Sequence, residues 1–593
     1  MKFIFLASMI VIGLAGLNIQ PAPSFTPGPI HSYYIKMPDG VRIAVDVVLP
    51  GGNTTGKRFP AILEMTRYWR SATGDTLTSH EMEYAAHGYA VVTGDVRGTG
   101  ASSGKWYYHR SRAETRDFGD VISWIARQPW SNGEVSGWGL SYSANTADWM
   151  PERQNPALKA IVPRFPDYDP YADLYFPGGV PNRWMAETWG TAVKKMDLNQ
   201  RLDAKGRPLP GVRPVDADHA GKLLQQALAE RKDVPSVWEG LRRVRFRDDR
   251  PPTWNGASMN DWGIYSVKDK IEKSGVPMQV WGSWYDSGTA NGVLHRFMTE
   301  SNPQRVYIGA WVHGAFRDAD PFDARSGLPS PSSAAQQKFD RDFLAGRLAG
   351  KQLNPNKLLT YYTVGSHRWK TTATWPLPGT LMQTWFLGAK FGFSRTPPPA
   401  NESPDHYQVD FTASTGNTNR WHTNGGVGEV WYGDRAAEDH KALIYTSEPL
   451  SHDTEITGEP VADLYIASDR NDGAFFVYLE DVAPDGKVTY VTEGELHGID
   501  RKVKKAGLYH VTGPDHSFRR ADSMAMVPGK VMNLQFSLMP ISVLIHKGHR
   551  LRIALAGADA DTFERIPGVG DVNWQVYRSI GYASKISLPV VHD

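Results

Sequence analysis

Between about Ile30 and Arg164 short apolar runs alternate with helical patterns. That alternation admits few folds other than a parallel sheet with helices on its faces. Ala61-Ile62-Leu63 and Tyr89-Ala90-Val91-Val92 are two such runs. Between them Thr78 and Glu81 form a capping-box pair ahead of Met82, Tyr84 and Ala85, and Gly88 supplies a stop, so the unit reads strand, helix, strand. Phe118, Val121, Ile122 and Ile125 follow at i, i+3, i+4 and i+7, one apolar stripe for the sheet. The turn Trp130-Ser131-Asn132-Gly133 then leads into a strand towards Trp138.

After Pro166 the text becomes rich in Trp, Tyr and Pro with helical fragments, the clearest being Leu223, Leu224, Ala227 and Leu228. The segment 166–270 reads as an inserted helical cap. Strand patterns resume at Met278-Gln279-Val280-Trp281 and Val306-Tyr307-Ile308, which makes the sheet domain discontinuous, in parts 25–165 and 271–379. From about 380 to 593 alternating strands are split by Gly, Pro and Asp turns, for example Val461 to Ala467, Ala474 to Leu479 and Val488 to Val491. That pattern favours an antiparallel sandwich or jelly roll. There is no internal repeat.

Composition narrows the chemistry. Lys and Arg total 65 against 63 Asp and Glu, a net charge of +2 with no long basic run, so nucleic acid is not an expected partner. The absence of cysteine removes disulfides, thiolate zinc sites, iron–sulfur clusters and a cysteine nucleophile. Any covalent catalysis must use another side chain. Met1-Lys2 followed by the mainly apolar run Phe3 to Leu17 and a Pro-rich stretch reads as a secretory signal peptide over 1–24, the alternative being an uncleaved anchor or a buried terminus. The run is short for a membrane span, and no stable span is expected.

Gly137-Trp138-Gly139-Leu140-Ser141-Tyr142-Ser143-Ala144 stands where a predicted strand ends and a helix begins. This is the setting of a nucleophile elbow, in which a tight turn lifts a serine hydroxyl over the sheet edge. Ser143 replaces the usual last glycine of the motif, and Gly-x-Ser also occurs at Gly100, Gly256 and Gly392, so an ordinary helix N-cap serine is the competing reading. A serine nucleophile needs a base that is itself oriented by an acid, and in this fold class the order is serine, acid, histidine on loops after successive strands. Asp286 in Trp284-Tyr285-Asp286 and His313 in Trp311-Val312-His313-Gly314 meet that order, 27 residues apart. Each alone has a bland reading as a turn aspartate or one histidine among 18. All three in sequence at strand ends form a candidate triad.

At these residues the chain resembles the cocaine esterase and Xaa-Pro dipeptidyl-peptidase-like (CocE/NonD) α/β-hydrolases, a group that includes α-amino-acid ester hydrolases and glutaryl-cephalosporin acylases. The matching stretches are Arg67-Tyr68, Asp95-Val96-Arg97-Gly98, Gln128-Pro129-Trp130-Ser131-Asn132-Gly133, Gly139-Leu140-Ser141-Tyr142, Trp284-Tyr285-Asp286 and Gly309-Ala310-Trp311-Val312-His313-Gly314. Ala144 departs from the glycine the group carries there. The resemblance implies an α/β fold class: an α/β-hydrolase domain, an inserted helical cap and a C-terminal jelly roll. It implies Ser141 as nucleophile, His313 as general base and acid, and Asp286 as the group orienting His313. It further implies an oxyanion hole made by the Tyr68 phenol and the backbone N–H of Tyr142, the other reading of Tyr68 being a core tyrosine at a strand end. Trp149, Trp184 and Trp189 are candidates for the acyl pocket, with aromatic core packing as the other reading of each.

The expected protein is an exported serine hydrolase that cleaves small-molecule ester or amide acyl bonds without metal or organic cofactor. The alternatives are an X-Pro dipeptidyl-peptidase, an α-amino-acid ester hydrolase or acylase, and an inactive relative that binds through its jelly roll. Oligomeric state is not legible in the sequence. The amino-acid ester hydrolases place an acidic pair two and three residues after the triad aspartate, where this chain has Gly288 and Thr289. Unless Asp167, Asp169 or Asp173 of the cap reaches the pocket, that difference predicts acyl groups without a free α-amine.

Overall fold

The computed structural model describes residues 25–52, 56–200, 206–323 and 327–591. The segment 1–24, expected as a signal peptide, lies outside the described residues. The first sheet has ten strands: β1 (Pro27–Lys36), β2 (Arg42–Pro50), β3 (Phe59–Thr66), β4 (Ala90–Asp95), β5 (Ser131–Leu140), β6 (Leu158–Arg164), β7 (Met278–Ser283), β8 (Gln304–Gly309), β9 (Lys357–Thr363) and β10 (Arg368–Thr372). Their order is β1-β2-β4-β3-β5-β6-β7-β8-β9-β10. The run from β4 to β9 is parallel. The first two strands differ from the parallel reading, since β1 pairs antiparallel with β2, and β2 with β4. The connection between β1 and β2 is too short for a crossover and turns at Gly40 with φ of 87°, so only an antiparallel return is open to it.

Helices cover both faces. The helices α1 (Ser79–Ala86), α2 (Arg112–Ala126) and α3 (Tyr142–Trp149) lie between strands of the first half. The Thr78 hydroxyl accepts from the Glu81 N–H, and the Glu81 carboxylate accepts from the Thr78 N–H at 2.7 Å, the capping box read in the sequence. Phe118, Val121, Ile122 and Ile125 of α2 are all fully buried. Each such side chain stabilises the fold by about 1.5–3 kcal/mol through removal from water. Between β6 and β7 the cap holds α4 (Arg183–Asp197), α5 (Lys222–Arg231), α6 (Val237–Leu241) and α7 (Lys268–Ser274), and α8 (Thr289–Thr299) and α9 (Ser333–Leu348) follow in the sheet domain. Tyr84 and Ala85 of α1 share one core layer with Phe343 and Leu344 of α9, while α2 and α8 pack into the other. Arg97, quoted above in a family match, braces its turn through Asp117 at 2.6 and 2.7 Å and Asp39 at 3.0 Å.

The second sheet system begins at Leu381–Leu387. It consists of a nine-stranded and a four-stranded sheet that pair antiparallel, joined by one core in which Phe475 stacks on Trp574 at 4.6 Å. A short helix, α10 (Arg420–Asn424), projects from one of its connections. No helix among the described residues is long and apolar enough to cross a membrane.

Candidate active site

Ser141 occupies the single position between β5 and α3, with φ of 62° and ψ of −125°. A non-glycine residue in such a conformation stores on the order of 1–3 kcal/mol of strain and persists only where its surroundings hold it. Here the Ser141 N–H donates to Arg164 O at 3.0 Å, and Asn145 N–H donates to Ser141 O at 3.0 Å. Glycine is required two residues earlier, because a Cβ on Gly139 would sit 2.0 Å from Ser143 O. Ser141 remains partly open to solvent at the carboxyl edge of the sheet, with the fully buried Ala144 packed behind it.

The ends of β7 and β8 supply the acid and the base. Asp286 is fully buried, and its Oδ2 lies 2.8 Å from His313 Nδ1. An imidazole held through Nδ1 by a carboxylate carries its proton there, which leaves Nε2 as the basic edge. His313 Nε2 is buried and has no hydrogen-bond partner among the described residues. The His313 loop lies directly against the elbow, since a Cβ on Gly314 would meet Leu140 Cδ2 at 3.3 Å. A cavity of about 430 Å³ opens beside His313, walled by Trp138, Leu140, Phe316 and Val427 and also by the charged Glu83, Arg164 and Asp340.

On the other side of Ser141 the environment is aromatic. Trp189 Nε1 donates to the Tyr68 hydroxyl at 2.9 Å, which leaves the phenol's own proton free to point elsewhere. Burial pushes the Tyr68 phenol above its ordinary range, while the Trp189 bond, the Arg67 charge and the nearby Ser141 hydroxyl pull the other way. The Tyr142 N–H is the first of α3 and has no acceptor within the helix. Its side chain is locked separately, donating to Glu114 and accepting from Trp106 Nε1 at 3.1 Å. Burial raises Glu114 to about 7.

His109 is stacked 4.7 Å from Trp189 and lies 4.6 Å from Trp262. Burial, helped by Arg110 and Arg67, holds its imidazole well below the usual histidine range, so it is a neutral ring. Arg67 lies 4.1 Å over the Trp106 ring and donates to Asp197 at 2.8 Å.

Of the three tryptophans read as pocket candidates, Trp189 joins Tyr68. Trp149 is buried at the end of α3, and Trp184 stacks on His422 at 3.8 Å. Trp106, His109 and Glu114 were not anticipated. They precede or begin α2 in a stretch without periodic signal, and only the fold brings them to Tyr142.

The acidic residues of the cap are already engaged. Asp167 faces Arg110 at 3.3 Å and Asn145 at 2.8 Å. Asp169 accepts from Arg247 at 2.6 Å and Tyr509 at 2.8 Å. Asp173 accepts from the backbone of Tyr168 and Asp169 at 3.0 and 2.8 Å and from Asn291 at 3.1 Å. Elsewhere Asp320, Asp323 and His367 bring possible metal-ligand atoms within 4.8 Å of one another, although Asp320 already accepts from Tyr362 and Phe322 N–H.

Residues 39–315 match the family model described as X-Pro dipeptidyl-peptidase (S15 family), and residues 349–577 match that of the X-Pro dipeptidyl-peptidase C-terminal non-catalytic domain. The chain is 36% identical to a Mycobacterium bovis protein named "Putative serine esterase", over 94% of this chain and 95% of the relative. It is 26% identical to cocaine esterase of a Rhodococcus species, over 94% and 97% of the two chains. In fold it is similar to the aminopeptidase from the marine sediment archaeon Thaumarchaeota archaeon, with a TM-score of 0.72 at 19% identity and 99% of each chain covered.

Proposed function

Since the chain belongs to the family of the X-Pro dipeptidyl-peptidases (S15) and cocaine esterase and is a serine hydrolase, we propose that it cleaves carboxylic esters through an acyl-enzyme formed on Ser141. The observation that carries this reading is the 2.8 Å Asp286–His313 pair set against the strained elbow. Ser141 Oγ attacks the ester carbonyl while His313 Nε2 takes its proton, and Asp286 stabilises the resulting imidazolium. The Tyr68 O–H and the Tyr142 N–H donate to the oxygen on which charge develops. The intermediate collapses with cleavage of the C–O bond, and His313 returns the proton to the departing alkoxide. Water then repeats the sequence on the acyl-enzyme and releases the acid. The cavity beside His313 is placed to receive the leaving alcohol, which must depart next to the group that protonates it.

Three matched relatives bear esterase names, which supports esters over peptides. An X-Pro dipeptidyl-peptidase must also bind a free α-amine, and Asp167, Asp169 and Asp173 are all committed to other partners. The apolar run Phe3 to Leu17 supports export. The decisive experiment is labelling with a fluorophosphonate, followed by peptide mass spectrometry and a panel of aryl esters, amino-acid esters and X-Pro anilides. An adduct on Ser141 with ester turnover is expected. An adduct elsewhere overturns the assignment, faster X-Pro anilide cleavage returns the protein to the exopeptidases, and absence of any adduct leaves a binding protein.

A further inference from the structure

The C-terminal domain of this family is described as non-catalytic, yet α10 of the jelly roll reaches the base of the proposed triad and the residue that follows its acid. The helix is fixed to its own domain. Asn419 Oδ1 accepts from the N–H groups of Trp421 and His422, each at 3.0 Å. Asn419 Nδ2 donates to Thr415 Oγ1 at 2.9 Å and Thr562 Oγ1 at 2.8 Å, and the fully buried Trp421 donates its indole N–H to Glu493. These bonds anchor the five-residue helix in the sandwich.

From that base two side chains cross to the triad loops. Arg420 Nε and Nη2 both donate to Ser287 O, at 3.0 and 2.6 Å, and Ser287 N–H donates back to Arg420 O at 2.8 Å. Ser287 directly follows Asp286 and has φ of 44°, a left-handed conformation that three hydrogen bonds to one residue help to hold. Thr423 Oγ1 accepts the backbone N–H of His313 at 3.0 Å, and Asn424 Nδ2 stands 3.5 Å from His313 Nδ1. Arg420 is completely buried, and burying a guanidinium is costly unless the geometry repays it. Glu493 of the sandwich supplies the opposite charge, and two of the guanidinium donors are spent on Ser287 O beside the triad aspartate.

We infer that Arg420 and Thr423 are positioning residues, and that α10 sets the Asp286–His313 pair in register with Ser141, making the jelly roll part of the catalytic unit. The inference rests on the triad proposed above. Asp286 and His313 come from different strand ends, and α10 ties both loops to one rigid support. Small displacements of such a pair are expensive, because about 1 Å of misplacement can cost 10²-fold in rate.

The test uses the full chain with Thr423→Val, Thr423→Ser, Arg420→Met and Ser141→Ala, comparing kcat, KM and thermal midpoint on one ester. Thr423→Val keeps the shape and removes the acceptor, so kcat should fall by about 10- to 100-fold with KM little changed, and Thr423→Ser should restore most of it. Arg420→Met should also lower kcat; if it fails to fold, the valine–serine pair decides alone. The inference is overturned if Thr423→Val keeps its kcat, if serine is as damaging as valine, or if the loss resides in KM. Full activity of Ser141→Ala would instead remove the triad reading itself, so the two failures are distinct.

Discussion

The two flanks of the candidate nucleophile are built of different materials. On the side of His313 the contacts that set the acid–base pair are directed hydrogen bonds: Asp286 to His313 at 2.8 Å, His313 N–H to Thr423 at 3.0 Å, and Arg420 to Ser287 at 2.6 Å. On the side of Tyr68 ring faces and edges surround the few hydrogen bonds, such as Trp189 to Tyr68 at 2.9 Å, with Trp189 on His109 at 4.7 Å, Tyr68 on Tyr142 at 6.0 Å and Trp106 on Trp189 at 6.3 Å. Hydrogen bonds fix atoms in distance and angle, which proton transfer demands. Ring contacts exclude water and tolerate changes of shape, which suits the choice of an acyl group. The polar flank should therefore govern turnover, and the aromatic flank selectivity together with the one oxyanion contact of Tyr68.

The sharpest break comes from the elbow between the flanks. Ser141→Ala should abolish turnover with an unchanged thermal midpoint, and organophosphonate should no longer label the protein. On the polar flank, Asp286→Asn should lower kcat by about 10⁴, since the amide no longer fixes the tautomer that leaves His313 Nε2 basic. A fall of less than about tenfold would mean that another carboxylate does this work.

Crossing to the aromatic flank should bring the effect down. Tyr68→Phe removes one hydroxyl and leaves the ring stack, and it should cost roughly 10²–10³ in kcat as the oxyanion loses a donor. If the variant keeps kcat and loses only KM, then Tyr68 belongs to the pocket wall and the aromatic flank acts on selectivity alone.

The same division separates what the sequence disclosed from what it withheld. Asp286 and His313 each follow a strand whose apolar run is visible locally, and Ser141 follows one marked by the turn at 130–133 and its own glycines, so chain order and strand ends were enough to nominate them. The capping box of α1 and the apolar stripe of α2 were legible for the same reason, being set by neighbours within a turn or two. The aromatic flank has no such signature. Trp106 and His109 come from the approach to α2 and Trp189 from the cap, and their meeting depends on how an inserted segment packs on the sheet. A tryptophan reads alike whether it fills a core or lines a pocket, which is why Trp149 and Trp184 were nominated together with Trp189. The contribution of α10 was further from view, because it begins more than 100 residues after His313, in a domain whose strands alternate without reference to the triad.

The smallest expected effect concerns the acyl group, and it tests whether the aromatic flank is as free of charge recognition as its rings suggest. An ammonium in the pocket needs a carboxylate to face it. Gly288 and Thr289 offer none, and the Gly288 N–H is itself bonded to Asp173 O at 2.8 Å. Asp167 is held by Arg110 and Asn145, and Asp169 by Arg247 and Tyr509. Burial and the neighbouring Asp169 push the carboxyl of Asp173 well above its ordinary value, and its oxygens are already taken up by the N–H groups of Tyr168 and Asp169 and by Asn291. His109 is neutral, and the nearby Arg67 guanidinium would repel an incoming cation. Phenylglycine methyl ester and phenylacetic acid methyl ester differ only in the amine. The second should be preferred in kcat/KM by about tenfold or more, the small end of what an unpaired charge in a dry site costs. A tenfold preference for the aminated ester would mean that one of these carboxylates leaves its partner when substrate binds, and Asp167, the most solvent-accessible of the three, would be the one to replace next.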